Sequence, residues 1–134
     1  MNELYIPGDL AFHYIPKTTI KKYVKVYVCS TNNALSLEDM DGELYDYIGE
    51  LYPIPLTPEI LEENGWYGAT HSKQSDDTTK ILYKTFKRKG YPTIKVSQDL
   101  KITCELSPFI VKLESVSDLQ HLLFGLGINH EMEV

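Results

Sequence analysis

The fold is decided by residues 52–66, which read YPIPLTPEILEENGW and hold three of the seven prolines and the only tryptophan. Thr57 is placed to cap a helix, and Pro58 suits its first turn, where no amide proton is needed. Asn64-Gly65 favours its end, because glycine accepts the left-handed backbone of a helix terminus. The alternating prolines before Thr57 hold the backbone extended. We therefore expect an extended connector, a helix over residues 57–64 and an aromatic anchor that separate the chain into two modules.

Short strands are predicted on the N-terminal side of this block. Four segments have the β-branched, aromatic or alternating patterns of strands, and they cover residues 10–15, 21–30, 34–38 and 43–48. The Asp41-Gly42 pair is typical of a tight hairpin turn. A sheet of such short strands must close or be covered to protect its edges. We therefore predict a small SH3-like antiparallel β-barrel over residues 1–56.

The C-terminal side favours a mixed module over residues 57–134. Strand patterns cover residues 80–88, 93–96, 102–106 and 108–113. Residues 68–79 are polar without apolar periodicity and are predicted to form an exposed loop. Residues 115–126 predict an amphipathic helix capped by Ser115 or Ser117, with leucines at helical spacing at 119, 122, 123 and 126. We expect this helix to cover an antiparallel sheet, which gives an α+β chain whose two modules form one compact unit.

Composition places the chain among soluble proteins. It has 134 residues, 43% hydrophobic and 24% charged, which is ordinary for a globular domain. No apolar run approaches the roughly 18 residues that span a membrane, and the first residues lack signal-peptide features. Cys29 and Cys104 lie in predicted strands, where buried thiols are expected and a disulfide is the alternative. We therefore predict a cytoplasmic protein that does not contact a membrane.

The net charge of −6 is unevenly distributed. No lysine or arginine occurs between Lys25 and Lys73, whereas six basic residues and no acidic residue lie between Asp77 and Asp99. Such segregation can steer a charged partner, form intramolecular pairs or solubilise two faces.

Two blocks carry a resemblance to a known group. Residues 53–66, PIPLTPEILEENGW, and residues 116–126, VSDLQHLLFGL, resemble blocks in small proteins of gut Bacteroidetes, their phages and mobile elements. Those proteins also have a strand-rich part before the first block, and they usually carry His where this chain has Ser117. The resemblance implies a source and an order of blocks. It carries no activity and no catalytic residue.

Catalytic and metal-binding patterns are missing from the sequence. The four histidines show no pair at helical ligand spacing, and no Cys-x-x-Cys occurs. Asp39-x-Asp41-Gly42 resembles the start of a calcium loop without its later ligands, so a hairpin turn is favoured. His121 is expected at the boundary of the helix's apolar face. We predict no enzyme activity, no catalytic residue, no metal and no cofactor.

The high tyrosine content suggests a surface that binds a partner. The chain has ten tyrosines, and rings that combine an apolar face with a hydroxyl suit recognition surfaces. Tyr23, Tyr27, Tyr45 and Tyr47 are candidate contacts of a protein partner, with cross-strand packing as the alternative. Trp66 is expected to anchor the two modules together, and a ligand platform is its alternative role. The first hypothesis is a non-enzymatic interaction protein of a phage or mobile element that engages a protein partner.

The alternative hypothesis is binding of a nucleic acid or small nucleotide by residues 80–91. There Tyr83, Lys84, Arg88 and Tyr91 interleave basic and aromatic side chains, a pattern that can follow a phosphate backbone and stack bases. A sequence pI near 5.1 argues against it, and strand lysines also protect sheet edges. Assembly through exposed strand edges is a third hypothesis, and no oligomeric state is predicted.

Overall fold

The computed structural model describes residues 5–14, 21–29, 34–48, 51–75 and 78–134. Within these ranges the chain has ten β-strands and two α-helices. The strands form two five-stranded sheets in which every neighbouring pair is antiparallel. The α+β class predicted from the sequence is confirmed.

The first sheet contains the N-terminal strands. They are β1 (Leu10–Tyr14), β2 (Lys21–Cys29), β3 (Ala34–Asp39), β4 (Leu44–Ile48) and β5 (Tyr52–Pro53), arranged in the order β4-β3-β2-β1-β5. A closed barrel is not found among the described strands, because β4 and β5 lie at opposite edges. Pro53 and Pro55 lack amide protons, so β5 is only two residues long and forms a short edge. The predicted SH3-like closure is therefore replaced by an open sheet within these ranges.

The second sheet contains β6 (Tyr67–Ser75), β7 (Thr78–Lys87), β8 (Ile94–Ser97), β9 (Ile102–Leu106) and β10 (Phe109–Lys112). Its order, β10-β9-β8-β7-β6, follows the chain as a simple meander. The prediction of a loop over residues 68–79 is wrong, because β6 is a nine-residue strand paired with β7. Residues 67–70 are exposed, so this strand needs no apolar alternation and is held by its backbone ladder.

The predicted central helix is confirmed as α1 (Pro58–Glu63). Thr57 Oγ1 accepts a hydrogen bond from Ile60 N at 3.2 Å, as expected of a helix cap. Gly65 has a φ of +92°, the left-handed conformation expected after the helix. Leu61 is fully buried and supplies the apolar side of this short helix.

The chain divides into two compact units. Unit 1 comprises Met1–Pro55 and Ser115–Met132, and unit 2 comprises Leu56–Glu114 and Glu133–Val134. The first division at residue 55 lies next to the sequence-predicted boundary at 56. The second division differs from the prediction, because the last helix belongs to unit 1.

That helix is α2 (Val116–Gly125), with Ser115 as its cap and Asp118 completing a reciprocal capping box. Its buried residues are Val116, Leu119, Gln120 and Leu123, whereas Leu122 is half-buried and Leu126 is exposed. It lies beside β1 of the first sheet, so the prediction that it covers the C-terminal sheet is wrong. The physical reason is the buried amide of Gln120, which bonds to the backbone around β1.

Each unit has its own buried apolar residues. In unit 1, Ala11, Val24, Val26, Leu37 and Leu51 form one cluster, with Tyr5 packed against it. In unit 2, the buried side chains of the central strands are Phe86, Ile94, Val96, Ile102 and Cys104. Cys104 is a free thiol whose pKa is raised chiefly by burial, and the side chain of Cys29 lies outside the described part. No helix among the described residues is both long enough and apolar enough to cross a lipid bilayer.

Candidate functional site

An aromatic cluster lies on one face of the first sheet. Phe12 in β1 is paired with Tyr23 in β2 and with Tyr52 in β5, so the three side chains project from the same face. Tyr14 follows Phe12 by two residues and therefore projects from that face as well. We call Phe12, Tyr14, Tyr23 and Tyr52 the aromatic patch.

The rings of the aromatic patch pack around Phe12. The Phe12 and Tyr52 rings are stacked with centroids 5.6 Å apart, and Tyr14 and Tyr23 meet Phe12 edge-on at 5.7 and 6.2 Å. Phe12 is only 8% exposed, whereas Tyr14, Tyr23 and Tyr52 are 41%, 42% and 38% exposed. Tyr14 also contacts Tyr52 at 5.4 Å. Mutual contact restrains these rings before any ligand arrives, which lowers the entropy lost on binding.

Unit 1 is acidic overall, although the charge described next to the aromatic patch is positive. Lys21 Nζ lies 4.8 Å from the centre of the Phe12 ring, a cation–π contact at the end of β2. Unit 1 as a whole has ten acidic and four basic residues, whereas unit 2 has nine of each. The whole net charge of the chain therefore belongs to the unit that carries the patch.

The turn between β3 and β4 presents part of this negative charge. Asp39 Oδ1 accepts hydrogen bonds from the amides of Asp41 and Glu43 at 3.0 Å, and Lys22 Nζ lies 3.3 Å from Asp39 Oδ2. These bonds, that from Glu43 first, lower the pKa of Asp39. The hairpin predicted from Asp41-Gly42 is confirmed, and the hydrogen bonds to the Asp39 carboxylate stabilise its turn.

The predicted tyrosine contacts are only partly brought together. Tyr23 belongs to the aromatic patch, and Tyr27, in the same strand, is 53% exposed. The backbones of Tyr45 and Tyr47 pair with β3, but their side chains lie outside the described part of the chain. Sequence reasoning did not select Phe12, Tyr14 or Tyr52 as contacts. The signal that would have found them is pairing of β1 with the proline connector, which brings Tyr52 beside Phe12.

Trp66 is an anchor inside unit 2. It is 1% exposed, and its ring meets Tyr91 edge-on at 5.2 Å. The Arg88 guanidinium stacks 4.0 Å from the Tyr91 ring centre and 5.2 Å from that of Trp66. Trp66 Nε1 points at Pro92 O at 3.5 Å. The buried ring offers no surface for the alternative role of ligand platform.

The basic and aromatic side chains of residues 80–91 do not form one surface. Alternation along β7 puts Lys84 on the side of buried Phe86, whereas Tyr83 and Lys87 project from the opposite side. Arg88 and Tyr91 are engaged with Trp66. The predicted set of Tyr83, Lys84, Arg88 and Tyr91 is therefore divided by the strand geometry.

A polar clamp joins α2 to the turn before β1. Gln120 is fully buried, its Oε1 accepts from Leu10 N at 2.8 Å, and its Nε2 donates to Gly8 O at 2.7 Å and to His130 O at 3.0 Å. His130 Nε2 donates in turn to Pro7 O at 2.7 Å. Met132 is also buried, so the segment that follows α2 is packed against the protein.

The clamp contains one acid–histidine pair. Asp9 is fully buried, and its Oδ2 accepts from Ile6 N at 3.0 Å and from His121 Nε2 at 2.6 Å. Asp9 Oδ1 has no hydrogen-bond partner among the described residues. Burial raises the pKa of Asp9, and the bond from His121 opposes this effect. Because its contacts are with the turn and α2, the pair serves to hold these two segments together.

Other features offer little to a ligand. Among the described residues, no group of three or more His, Cys, Asp or Glu side chains is placed to hold a metal ion. A shallow cleft of about 270 Å³ in unit 2 is lined mainly by Leu56, Leu100, Ile102, Lys112 and Glu114. It lies at the lower size limit for a small-molecule site and has few convergent polar groups.

Comparison with known proteins finds no match for this chain among protein-family models, curated proteins or solved structures.

Proposed function

We propose that this protein is a non-enzymatic interaction module that binds a protein partner through the aromatic patch of unit 1. The observation that supports the proposal is the arrangement of three half-exposed tyrosines around a buried phenylalanine. Tyrosine is enriched at protein interfaces because a rigid ring and a hydroxyl give large contact area at little entropic cost. A buried central ring also fixes the spacing of the three exposed ones.

Charge favours a basic partner. Unit 1 carries an excess of six acidic residues, and its β3–β4 turn exposes Asp41 and Glu43. The exposed apolar side chains Met40 and Leu44 flank that turn. A partner with basic residues around an apolar centre would associate faster through electrostatic steering and would then bury the tyrosines.

We further propose a source of the kind that the resemblance of residues 53–66 and 116–126 implies, namely gut Bacteroidetes, their phages or mobile elements. We accordingly place the protein in the bacterial cytoplasm, with a host protein as the partner.

The test is capture of partners from nuclease-treated lysate of a gut Bacteroidetes host. Wild-type protein is compared with the double variant Tyr14→Ser/Tyr23→Ser and with Phe109→Ser, a control that removes an exposed aromatic ring in unit 2. We expect one or more proteins to be retained by the wild type and by Phe109→Ser and lost with the double variant. Circular dichroism of each variant verifies that the fold is kept.

Titration of the captured protein then measures the contribution of each ring. Loss of one central interface tyrosine is expected to weaken binding about tenfold. Equal capture by the wild type and the double variant would refute the aromatic patch as the binding surface. Capture from a parallel untreated lysate that is absent from the nuclease-treated lysate in all three samples would instead show that nucleic acid bridges the proteins.

A further inference from the structure

One face of the second sheet is exposed on all five strands. Strand alternation gives this face residues from β6 to β10. None of those whose side chains the structure describes is buried, whereas the opposite face carries Phe86, Ile94, Val96, Ile102 and Cys104. We call the exposed side the open face. The residues of the open face that are candidate ligand contacts are Tyr67, Tyr83, Thr85, Lys87, Lys95, Thr103 and Lys112.

A continuous row of paired residues crosses the open face. Ala69, Thr85, Lys95, Thr103 and Lys112 are successive partners from β6 to β10. Because adjacent strands are about 4.8 Å apart, the two lysines of this row are separated by about 10 Å. Two hydroxyl side chains alternate with them. The row therefore offers ammonium groups and hydroxyl donors in a line, both of which bind phosphate oxygens.

Aromatic rings border the row on both sides. Tyr67, which is 80% exposed, is the direct cross-strand partner of Lys87. On the other side, Lys95 Nζ lies 4.3 Å from the centre of the Tyr83 ring. The ammonium group of Lys95 therefore lies over a ring face on which a base could stack. A phosphate group would compete for that ammonium and uncover the ring for stacking.

The balance of charge on the open face is positive. Among the described residues it has three lysines, Lys87, Lys95 and Lys112, and one acidic residue, Glu105. The described ion pairs involve none of these lysines. This contrasts with unit 1, whose acidic excess repels polyanions.

We propose that the open face binds single-stranded nucleic acid. Lys87, Lys95 and Lys112 contact successive phosphates, and Tyr67 and Tyr83 stack against bases. An open sheet face with exposed rings suits unpaired bases, whereas the bases of a duplex are stacked inside it. Binding depends on backbone charge and stacking and is independent of sequence. The site differs from the linear segment 80–91, since Lys84 and Arg88 are not part of it.

The test is fluorescence anisotropy of labelled oligonucleotides titrated with the full-length protein. The probes are a 20-nucleotide oligo-dT, a 20-nucleotide oligo-rU, a 20-base-pair DNA duplex and polyglutamate. We expect both single strands to bind with a Kd on the order of 10⁻⁵ M, and the duplex and polyglutamate to bind more weakly. With three phosphate contacts, log K should fall against log salt with a slope of about −2.

Variants locate the site. Lys95→Gln should reduce the salt slope by about 0.7, and Tyr67→Ser should weaken binding about tenfold with the slope unchanged. Lys84→Gln removes an exposed lysine of β7, the strand next to that of Lys95, from the other face of the sheet and should have little effect. Preference for oligo-rU over oligo-dT would indicate contacts to the 2′-hydroxyl, and equal affinity would indicate backbone and base contacts alone. Both results agree with the proposal.

Three outcomes would overturn it. The first is no binding of either single strand at 50 mM salt and about 100 µM protein, a range that includes typical non-specific affinities. The second is polyglutamate or duplex binding as tight as the single strands, which would show a general attraction to polyanions. The third is an effect of Lys84→Gln as large as that of Lys95→Gln. None of these results bears on the aromatic patch of unit 1, so the two proposals fail independently.

Discussion

Replacing Gln120 by Met tests the polar clamp of unit 1. Methionine has nearly the length and volume of glutamine, so packing inside α2 is largely kept. Three backbone groups lose a partner, namely the amide of Leu10 and the carbonyls of Gly8 and His130. A buried polar group left without a partner costs about 1–3 kcal/mol, and the two part-buried carbonyls fall at the low end. We therefore expect Gln120→Met to lower the free energy of unfolding by about 3 kcal/mol.

The assay combines urea unfolding with hydrogen exchange of the Leu10 amide. A loss of about 3 kcal/mol corresponds to roughly 150-fold faster exchange of that amide when it opens with unit 1. Gln98→Met, the same change at an exposed turn residue, is the matched control. A second variant, Gln120→Glu, puts a carboxylate beside two carbonyls and should destabilise more than methionine does. A change below about 0.5 kcal/mol for Gln120→Met would refute this account, because that is the effect of an ordinary surface substitution.

Three further predictions concern the backbone turns and caps. Gly8→Ala should lower the free energy of unfolding in urea by about 1–2 kcal/mol, because φ is +97° and the new Cβ would lie 3.0 Å from His130 Nε2. The control is Gly125→Ala, which should not destabilise the protein because no heavy atom lies within 4 Å of its new Cβ. Thr57→Ala should lower the stability of unit 2 by about 1 kcal/mol through loss of the helix cap, and an unchanged melting temperature would contradict this. The folded-state pKa of Asp39 lies below 3.8, so its stabilisation is present above that pH and is lost as pH falls through the lower value. Asp39→Asn should abolish this part of the acid sensitivity, and identical pH profiles of unfolding would exclude it.

Local signals in the sequence predicted the helices well. The caps at Thr57 and Ser115 depend on side chains that bond within three residues, so the short segment contains all the information required. The same holds for the Asp41-Gly42 hairpin. These elements are confirmed at nearly the predicted bounds.

Features that depend on distant partners were missed. Gln120 is polar and would be placed on the solvent side by periodicity, but its bonds to residues more than 100 positions away bury it. Leu126 is apolar and is exposed. The face of α2 that is buried therefore includes Gln120, and the helix contacts β1 instead of the predicted C-terminal sheet. Strand β6 was missed for a related reason, since its ladder with β7 is independent of side-chain type.

The sequence predicted the residue type of the candidate site but only some of its positions. Composition identified tyrosine as the residue of interest, and Tyr23 is in the aromatic patch. Its neighbours Phe12 and Tyr52 come from segments about 40 residues apart, which only the strand register brings together. The same alternation divides residues 80–91 between two faces. This division follows from the predicted strand over residues 80–88 once its two-residue period is applied, which a count of basic and aromatic residues leaves out.

The discontinuity of unit 1 has a consequence for biosynthesis. Its N-terminal sheet leaves the ribosome well before Ser115–Met132, and at 5–20 residues per second the delay is about 3–12 s. The meander of unit 2 is contiguous and can be completed within that interval. Until translation reaches Gln120, the turn before β1 has neither the amide nor the imidazole that later holds it. The sheet of unit 2 can therefore be complete before unit 1 is. Until then, the N-terminal sheet of unit 1 is the better substrate for chaperones that recognise exposed apolar strands.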